Sequence, residues 1–368
     1  MTPPVQILAP APASLVLEGA PRFGLWSGTL ADASLRELAP PFARGGLARK
    51  LIEKKWLYTL VATPELFLCL AIIDAGIVQS CFLGLFDRRS RTLLADANVV
   101  LPALGFAQID DQPAALNARI SAPGLRASIE RQASIERQAS GERQASGERQ
   151  ATGEREASSE HHGPGVRVRA SLKGVEVDLQ LDDSGAQPAS ACADLGNARF
   201  DFTQKRVSLR ARGTVRHGGR TMQVENGLAG LDFTHGYLRR ETRWRWAFGM
   251  GEAAGHQVAF NFSEGFLPGD LSENVVWIDG VPQSIGPVAF QFDASTPSAP
   301  WLIRARSGAA ALEFAPEGQR AQKVWTPLMS SAYVQPFGSF RGTLQLASGE
   351  TLAIEKLAGV TEDHAAVW

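Results

Sequence analysis

From Trp56 to the C-terminus the chain is written in strand-length apolar runs punctuated by turn residues, which leaves room for little besides β-structure. The first breaks, at Thr63-Pro64, Asp74-Ala75-Gly76 and Asp87-Arg88-Arg89-Ser90, predict a meander. Further on, Val175, Val177, Leu179 and Leu181 alternate with Glu176, Asp178 and Gln180, the period of two that gives a strand one buried face. Hairpin turns are expected at His217-Gly218-Gly219, Asp279-Gly280, Ser307-Gly308 and Ser348-Gly349. No segment of helical period rivals these signals, so the expected class is all-β, an antiparallel sandwich or barrel. One short N-terminal amphipathic helix is expected around 42–55. Its Arg44, Arg49, Lys50, Lys54 and Lys55 read as a solvated face and leave peripheral contact with an anionic membrane or ligand open.

A chain of 368 residues can hold two cores, and 44% hydrophobic with 20% charged residues is ordinary globular composition. A net charge of −1 supplies no field for a polyanion, which argues against nucleic acid as the main partner. Cys69, Cys81 and Cys192 are odd in number and lack a C-x-x-C spacing, so neither a disulfide framework nor a metal site is expected. With no basic, uninterrupted apolar leader at Met1, secretion is not expected and the cytoplasm is the simplest location. The most apolar run, 57–78, is broken by Pro64, Glu65, Asp74 and Gly76, so no transmembrane segment is expected. Residues 1–20 read as an irregular Pro- and Ala-rich arm. Residues 128–157 are five copies of a hexapeptide, from Ser128-Ile129-Glu130-Arg131-Gln132-Ala133 to Thr152-Gly153-Glu154-Arg155-Glu156-Ala157. Six residues match no helical period, and the units offer little to bury. The expectation is a disordered insert over 126–164, extending a hairpin tip.

Chemistry concentrates between Leu231 and Gly251. If 242–247 is a strand, Thr242, Trp244 and Trp246 share one face and Glu241, Arg243 and Arg245 the other. Two tryptophans pointing into a barrel would make a flat apolar cavity wall, with the arginines as an outer stripe paired to Glu241. An ordinary core pair with surface salt bridges fits equally. Asn261, Glu273, Asn274 and Trp277 repeat the mixture of polar groups beside apolar strand residues, as do Trp301 and Trp325, and buried polar groups need a partner that a ligand or the backbone supplies. The ligand-contact candidates are therefore Trp244, Trp246, Asn261, Glu273, Asn274, Trp277 and Arg243. Asp232 and His235 are the candidate acid–base residues, with Glu273 and Glu362 eligible. Gly249-Met250-Gly251 with Gly255 imitates a dinucleotide loop but is read as joining two strands, where that chemistry needs a helix start. No nucleophile elbow, H-E-x-x-H, Walker loop or H-x-H pair occurs, so no cofactor is expected.

Taken together, Lys55-Trp56-x-Tyr58 with Asp74-x-Gly76, the block Asp232…Trp244-Arg245-Trp246…Gly251…Asn261, Glu273-Asn274-x-x-Trp277-x-Asp279-Gly280, Phe337-Gly338-x-Phe340-x-Gly342 and Glu362-x-His364-x-x-x-Trp368 resemble the bacterial domain of unknown function 2804 family. That family is distantly similar to the lipocalin-like double barrels of carotenoid 1,2-hydratases and tocopherol-cyclase-like proteins. The resemblance implies two tandem lipocalin-like antiparallel β-barrels, here placed at 21–215 and 216–368, with a cavity for a hydrophobic molecule. It also implies a mechanism in which Asp232 or His235 protonates an alkene and Trp244 or Trp246 stabilises the cation. The expected function is binding of a lipid or isoprenoid. The alternatives are a hydratase, cyclase or isomerase acting on such a molecule, or a structural role in assembly centred on Trp368. Whether the chain is an enzyme, and its oligomeric state, stay open at this level.

Overall fold

The computed structural model describes residues 5–132, 165–267, 272–325 and 329–368. Two curled sheets contain nearly every strand, and among the described residues all pairings in them are antiparallel except Ala9–Pro10 with Gly24–Ser27. Across the first sheet the order begins at Ala107–Ile109 and runs through Asn117–Ala122, Leu125–Gln132, Gly165–Leu172, Val175–Asp182, Arg199–His217 and Arg220–Tyr237. It continues through Glu53–Ala62, Leu66–Asp74 and Val78–Asp87 to Thr92–Pro102. The second sheet centres on His256–Glu264, Glu241–Ala253, Thr351–Val367, Ser330–Gln345 and Ala310–Trp325. Each curls back on itself through a side chain. The Gln79 amide exchanges two hydrogen bonds of 3.0 Å with the backbone of Ala107, and Glu264 accepts from the Phe290 N–H at 3.2 Å. The result is a pair of lipocalin-like barrels in tandem.

The expected turns fall between strands as read, and the 175–182 strand buries alternate residues. Other expectations shift. The 220–237 strand pairs with 199–217 on one side and 53–62 on the other, so the chain changes barrels between Tyr237 and Glu241 instead of at 215/216. The helix is Gly46–Ile52 alone, because Lys54 and Lys55 already belong to the following strand. Lys54, buried, turns its Nζ back onto the Leu51 and Ala75 carbonyls at 2.8 Å each and so ties the helix end to the next turn. The arm is not irregular throughout: Gln6–Ile7 pairs with Val281–Ser284 of the second sheet and Ala9–Pro10 with the first, strapping the barrels together. Residues 126–132 of the expected insert are strand, and Gln132 stands opposite Gly165. The remainder, 133–164, lies outside the described residues. Gly249-Met250-Gly251 lies inside the 241–253 strand, not at a junction.

Three apolar layers explain the continuous runs. Leu66, Leu68, Leu70 and Ile72 join the first barrel's interior, while Phe67, Cys69 and Ala71 of the same strand pack against the other barrel. A strand buried on both faces needs no polar alternation, which is why this one reads as an unbroken apolar run. The second barrel is filled by Phe260, Phe262, Phe314 and Phe340. Both interiors are thus occupied by side chains, and the third layer, between the barrels, contains Tyr58, Trp246, Phe248, Trp277 and Phe337.

Candidate ligand site between the barrels

Along Glu241–Ala253 the small residues Ala247, Gly249 and Gly251 face the second barrel's interior. A Cβ on Gly249 would come within 2.5 Å of the Phe260 ring. Phenylalanines have already filled that space, so the bulky face carrying Trp244, Trp246, Phe248 and Met250 must turn outward, onto the first barrel. The tryptophans therefore line no barrel interior. They wall a cavity of about 100 Å³ between the two barrels, opposite Trp56, Tyr58, Ile73 and Phe82 of the first sheet. Tyr58 meets Trp246 edge-on at 5.5 Å. Trp368 stacks on Trp56 at 6.5 Å, while its backbone N–H donates to Arg240 at 2.9 Å and its indole to Thr242 at 3.1 Å. The C-terminal residue thus fastens the tail to the second barrel and reaches the first.

One end of the cavity is polar. Lys205 projects from the 199–217 strand, with Nζ 2.5 Å from Asp232 Oδ1 and 3.4 Å from Glu273 Oε2. Asp201, two strand repeats earlier, shares its face, and all four residues lie at or below 9% exposure. Burial, reinforced by Glu273, pushes the Asp201 carboxyl well above the usual carboxylate range; burial also raises Glu273, against the pull of Lys205. Burial works against the Lys205 ammonium, but Asp232 and Glu273 outweigh it and hold the amine above the ordinary lysine range. The cluster is best described as a Lys205–Asp232 ion pair flanked by two carboxyl groups biased towards their neutral, proton-donating form. Asp201 Oδ1 is buried without a hydrogen-bond partner among the described residues, and Glu273 Oε2 has only the ion pair with Lys205. On the opposite side, Glu362 accepts from the Trp244 indole at 2.9 Å and from Gln335 at 2.8 Å, and His364 stands 4.0 Å from the Trp244 ring.

Of the residues singled out in the sequence, Asp232, Trp244, Trp246 and Glu273 converge on the cavity. Asn261 does not line it but orients it, accepting from the Trp246 indole at 2.8 Å and donating to the Glu273 carbonyl at 2.9 Å. His235 is elsewhere. It lies on the opposite face of its strand from Asp232, fully buried, with Nε2 2.8 Å from Glu53. Asn274 binds the Ser263 N–H and the Gly286 carbonyl, and Trp277 donates to the Gln187 carbonyl at 2.8 Å, so both serve the framework. Arg243 is exposed and does not line the cavity. Arg245 pairs with Glu264 and Asp363, not with Glu241, because cross-strand neighbours in the folded sheet are nearer than strand neighbours two or four residues away. Sequence reading missed Asp201 and Lys205. In Phe200-Asp201-Phe202-Thr203-Gln204-Lys205 the alternation of aromatic and polar residues is the signature of a solvated face, and here a second barrel covers that face.

The fold has solved counterparts. A Nitrosomonas europaea protein assigned as an AttH superposes with a TM-score of 0.50 at 13% identity, covering 89% of this chain and 96% of its own. CghA with Sch210972 gives 0.51 at 10% identity, covering 99% and 98%. Kievitone hydratase from Nectria haematococca gives 0.47 at 10% identity, covering 90% and 94%. No curated protein matches the sequence. The family model described as "Domain of unknown function (DUF2804)" matches residues 9–368, the span that contains both barrels, the arm's second strand and every residue of the cavity. The chain belongs to the domain of unknown function 2804 family.

Proposed function

We propose that this protein binds a hydrophobic small molecule of lipid or isoprenoid type in the cavity between its barrels, with the molecule's polar end against Lys205, Asp201 and Glu273. One observation carries the reading: an aromatic-walled space with a buried Asp201 carboxyl oxygen at one end that has no hydrogen-bond partner among the described residues, in a molecule whose barrel interiors are already filled. The solved relative that holds Sch210972 supports a small-molecule role for this architecture. The three cysteines, all unpaired and buried, support a cytoplasmic, reducing setting. Native mass spectrometry of the freshly purified chain tests the proposal. A co-purifying apolar ligand that is retained by wild type and lost from Trp246→Ala is the expected result. An empty protein whose indole fluorescence is unmoved by a panel of lipids and isoprenoids would overturn it.

A second reading is favoured by the raised carboxyls. A neutral acid beside aromatic faces can protonate an alkene, and the indole and phenol rings then stabilise the cation, as a hydratase, cyclase or isomerase requires. Asp201 or Glu273 is the donor in this reading, since Asp232 is committed to Lys205. Glu273→Gln and Asp201→Asn are expected to retain bound ligand while stopping its conversion. Equal product from wild type and both variants would remove the catalytic reading and leave the binding one intact.

A further inference from the structure

We propose that the end of the molecule at which the cavity opens is a docking surface for an anionic lipid bilayer. The registers place several separate features at this one end. The first sheet's strands end there at Glu53, Tyr237 and Asp74, and the second sheet's at Glu241, Val367 and Ser330, opposite Trp325. The cavity residues nearest this end, Trp56, Ile73, Trp244 and Trp368, are half-exposed, whereas Lys205 and Trp246 lie deep.

The same end carries exposed apolar side chains. Trp325 is 78% exposed, Leu104 76% and Leu47 70%, with Leu51 at 48% and Val100 at 39%. They are not scattered. The strands Thr92–Pro102 and Ala310–Trp325 run in step across the inter-barrel seam, Asp96 bonding Arg320 and Asn98 bonding Gln322, so continuing the progression brings Val100 towards Val324 and Trp325. Leu104 follows in the next turn, whose Ala103 N–H bonds Ile77. Gly76, beside Ile77, is held so close to the helix that a Cβ there would lie 1.7 Å from the Lys50 carbonyl, which seats Leu47 and Leu51 next to these turns. Both barrels therefore contribute anchors to one surface.

The charge on this surface selects its occupant. Lys50, Arg243 and Lys323 are exposed and Arg44 is half-exposed, against the exposed acids Glu241 and Asp110 and the half-exposed Asp74 and Asp111, the latter paired with Lys55. Isolated aliphatic and indole side chains framed by lysine and arginine suit the headgroup boundary of a negatively charged bilayer, where each basic residue strengthens binding about fivefold. A protein-binding groove would instead be concave and continuous. A bilayer docked here faces the half-exposed cavity residues directly. The inference does not depend on the identity of the cavity's ligand, and its test uses none.

Co-sedimentation of the full chain with phosphatidylglycerol–phosphatidylcholine vesicles, compared with phosphatidylcholine alone, provides that test. Wild type is expected to bind the anionic vesicles, and added salt to weaken the binding. The double variants Leu104→Ser/Trp325→Ser and Lys50→Glu/Lys323→Glu should each lose about tenfold or more in partitioning, from lost apolar insertion and lost attraction respectively. Their thermal midpoints should be unchanged because all four side chains are exposed. Val281→Ser, beside the Asp279-Gly280 turn at the opposite end, should bind as wild type. Failure of wild type to bind anionic vesicles, or equal binding by folded double variants, would overturn the proposal.

Discussion

Asn261 holds an indole with one end of its amide and a backbone carbonyl with the other, both fully buried. Asn261→Ala would strand the Trp246 N–H and the Glu273 carbonyl together, a loss of about 3 kcal/mol in urea unfolding, since each unpaired buried group costs roughly 1–3 kcal/mol. Two carboxyls should respond to pH in opposite senses. Glu53 is half-buried, and although that burial works to raise it, hydrogen bonds from His235 and Arg49 hold it well below the usual range; burial lowers His235 as well. Both folded values lie below the unfolded ones, so the stability they contribute is present above the unfolded values and lost as pH falls through the histidine and then the glutamate range. The urea midpoint should decline on acidification, and Glu53→Gln should flatten its glutamate part. Glu273 is raised, so its contribution is present below the ordinary glutamate range and lost as pH rises through the folded value. Glu273→Gln should therefore gain on wild type as pH rises from 4 towards 8 in the same measurement. Asp232 and Glu273 were legible as acids set among strand residues. His235 looked equal to Asp232 in sequence, and the pleat alone put three residues' separation on opposite faces.

The long strands owe their reach to bulges. Ladder register slips at Ala211/Gly213 and Phe340/Gly342, where the glycines take φ of +134° and +138°. A Cβ on Gly342 would fall 2.1 Å from the Ala311 carbonyl, and one on Gly213 2.2 Å from that of Asp178. Gly342→Ala adds a backbone clash to conformational strain and should cost at least about 2 kcal/mol in thermal or urea unfolding. Gly174→Ala, also at positive φ but in open space, should cost only about 1 kcal/mol. Turns of the latter kind were readable because local backbone chemistry alone selects the glycine. Bulges were not, because their glycines answer to the neighbouring strand. The same distinction explains the helix: charge and periodicity extended it to Lys55, but pairing with the 66–74 and 220–237 strands claimed everything from Glu53.

At the scale of the whole molecule, the barrels are joined by an apolar layer and by the arm. They are also joined by polar seams: Arg88 forks onto Glu317 at 2.7 and 2.9 Å, and Arg320, fully buried, bonds Asp96 with Phe82 4.2 Å from its guanidinium. So much shared burial makes the pair one cooperative unit, and calorimetry should show a single transition. Arg88→Ala should lower stability by about 3 kcal/mol, the scale for stranding one partner of a largely buried pair. Two separated endotherms in wild type would contradict the shared core. The strand runs, the turns and the all-β class were determined by the sequence itself, since period, β-branching and turn glycines act over a few residues. So was the family, through short motifs spread over both barrels. Alternation states only that a strand has two unlike faces, not what covers each. That Trp244 and Trp246 look outward, that Asp201 and Lys205 are buried, and that the site lies between the barrels were decided only by the tertiary structure. Phenylalanines far along the chain fill the barrel interior first, and the faces left over meet the other barrel.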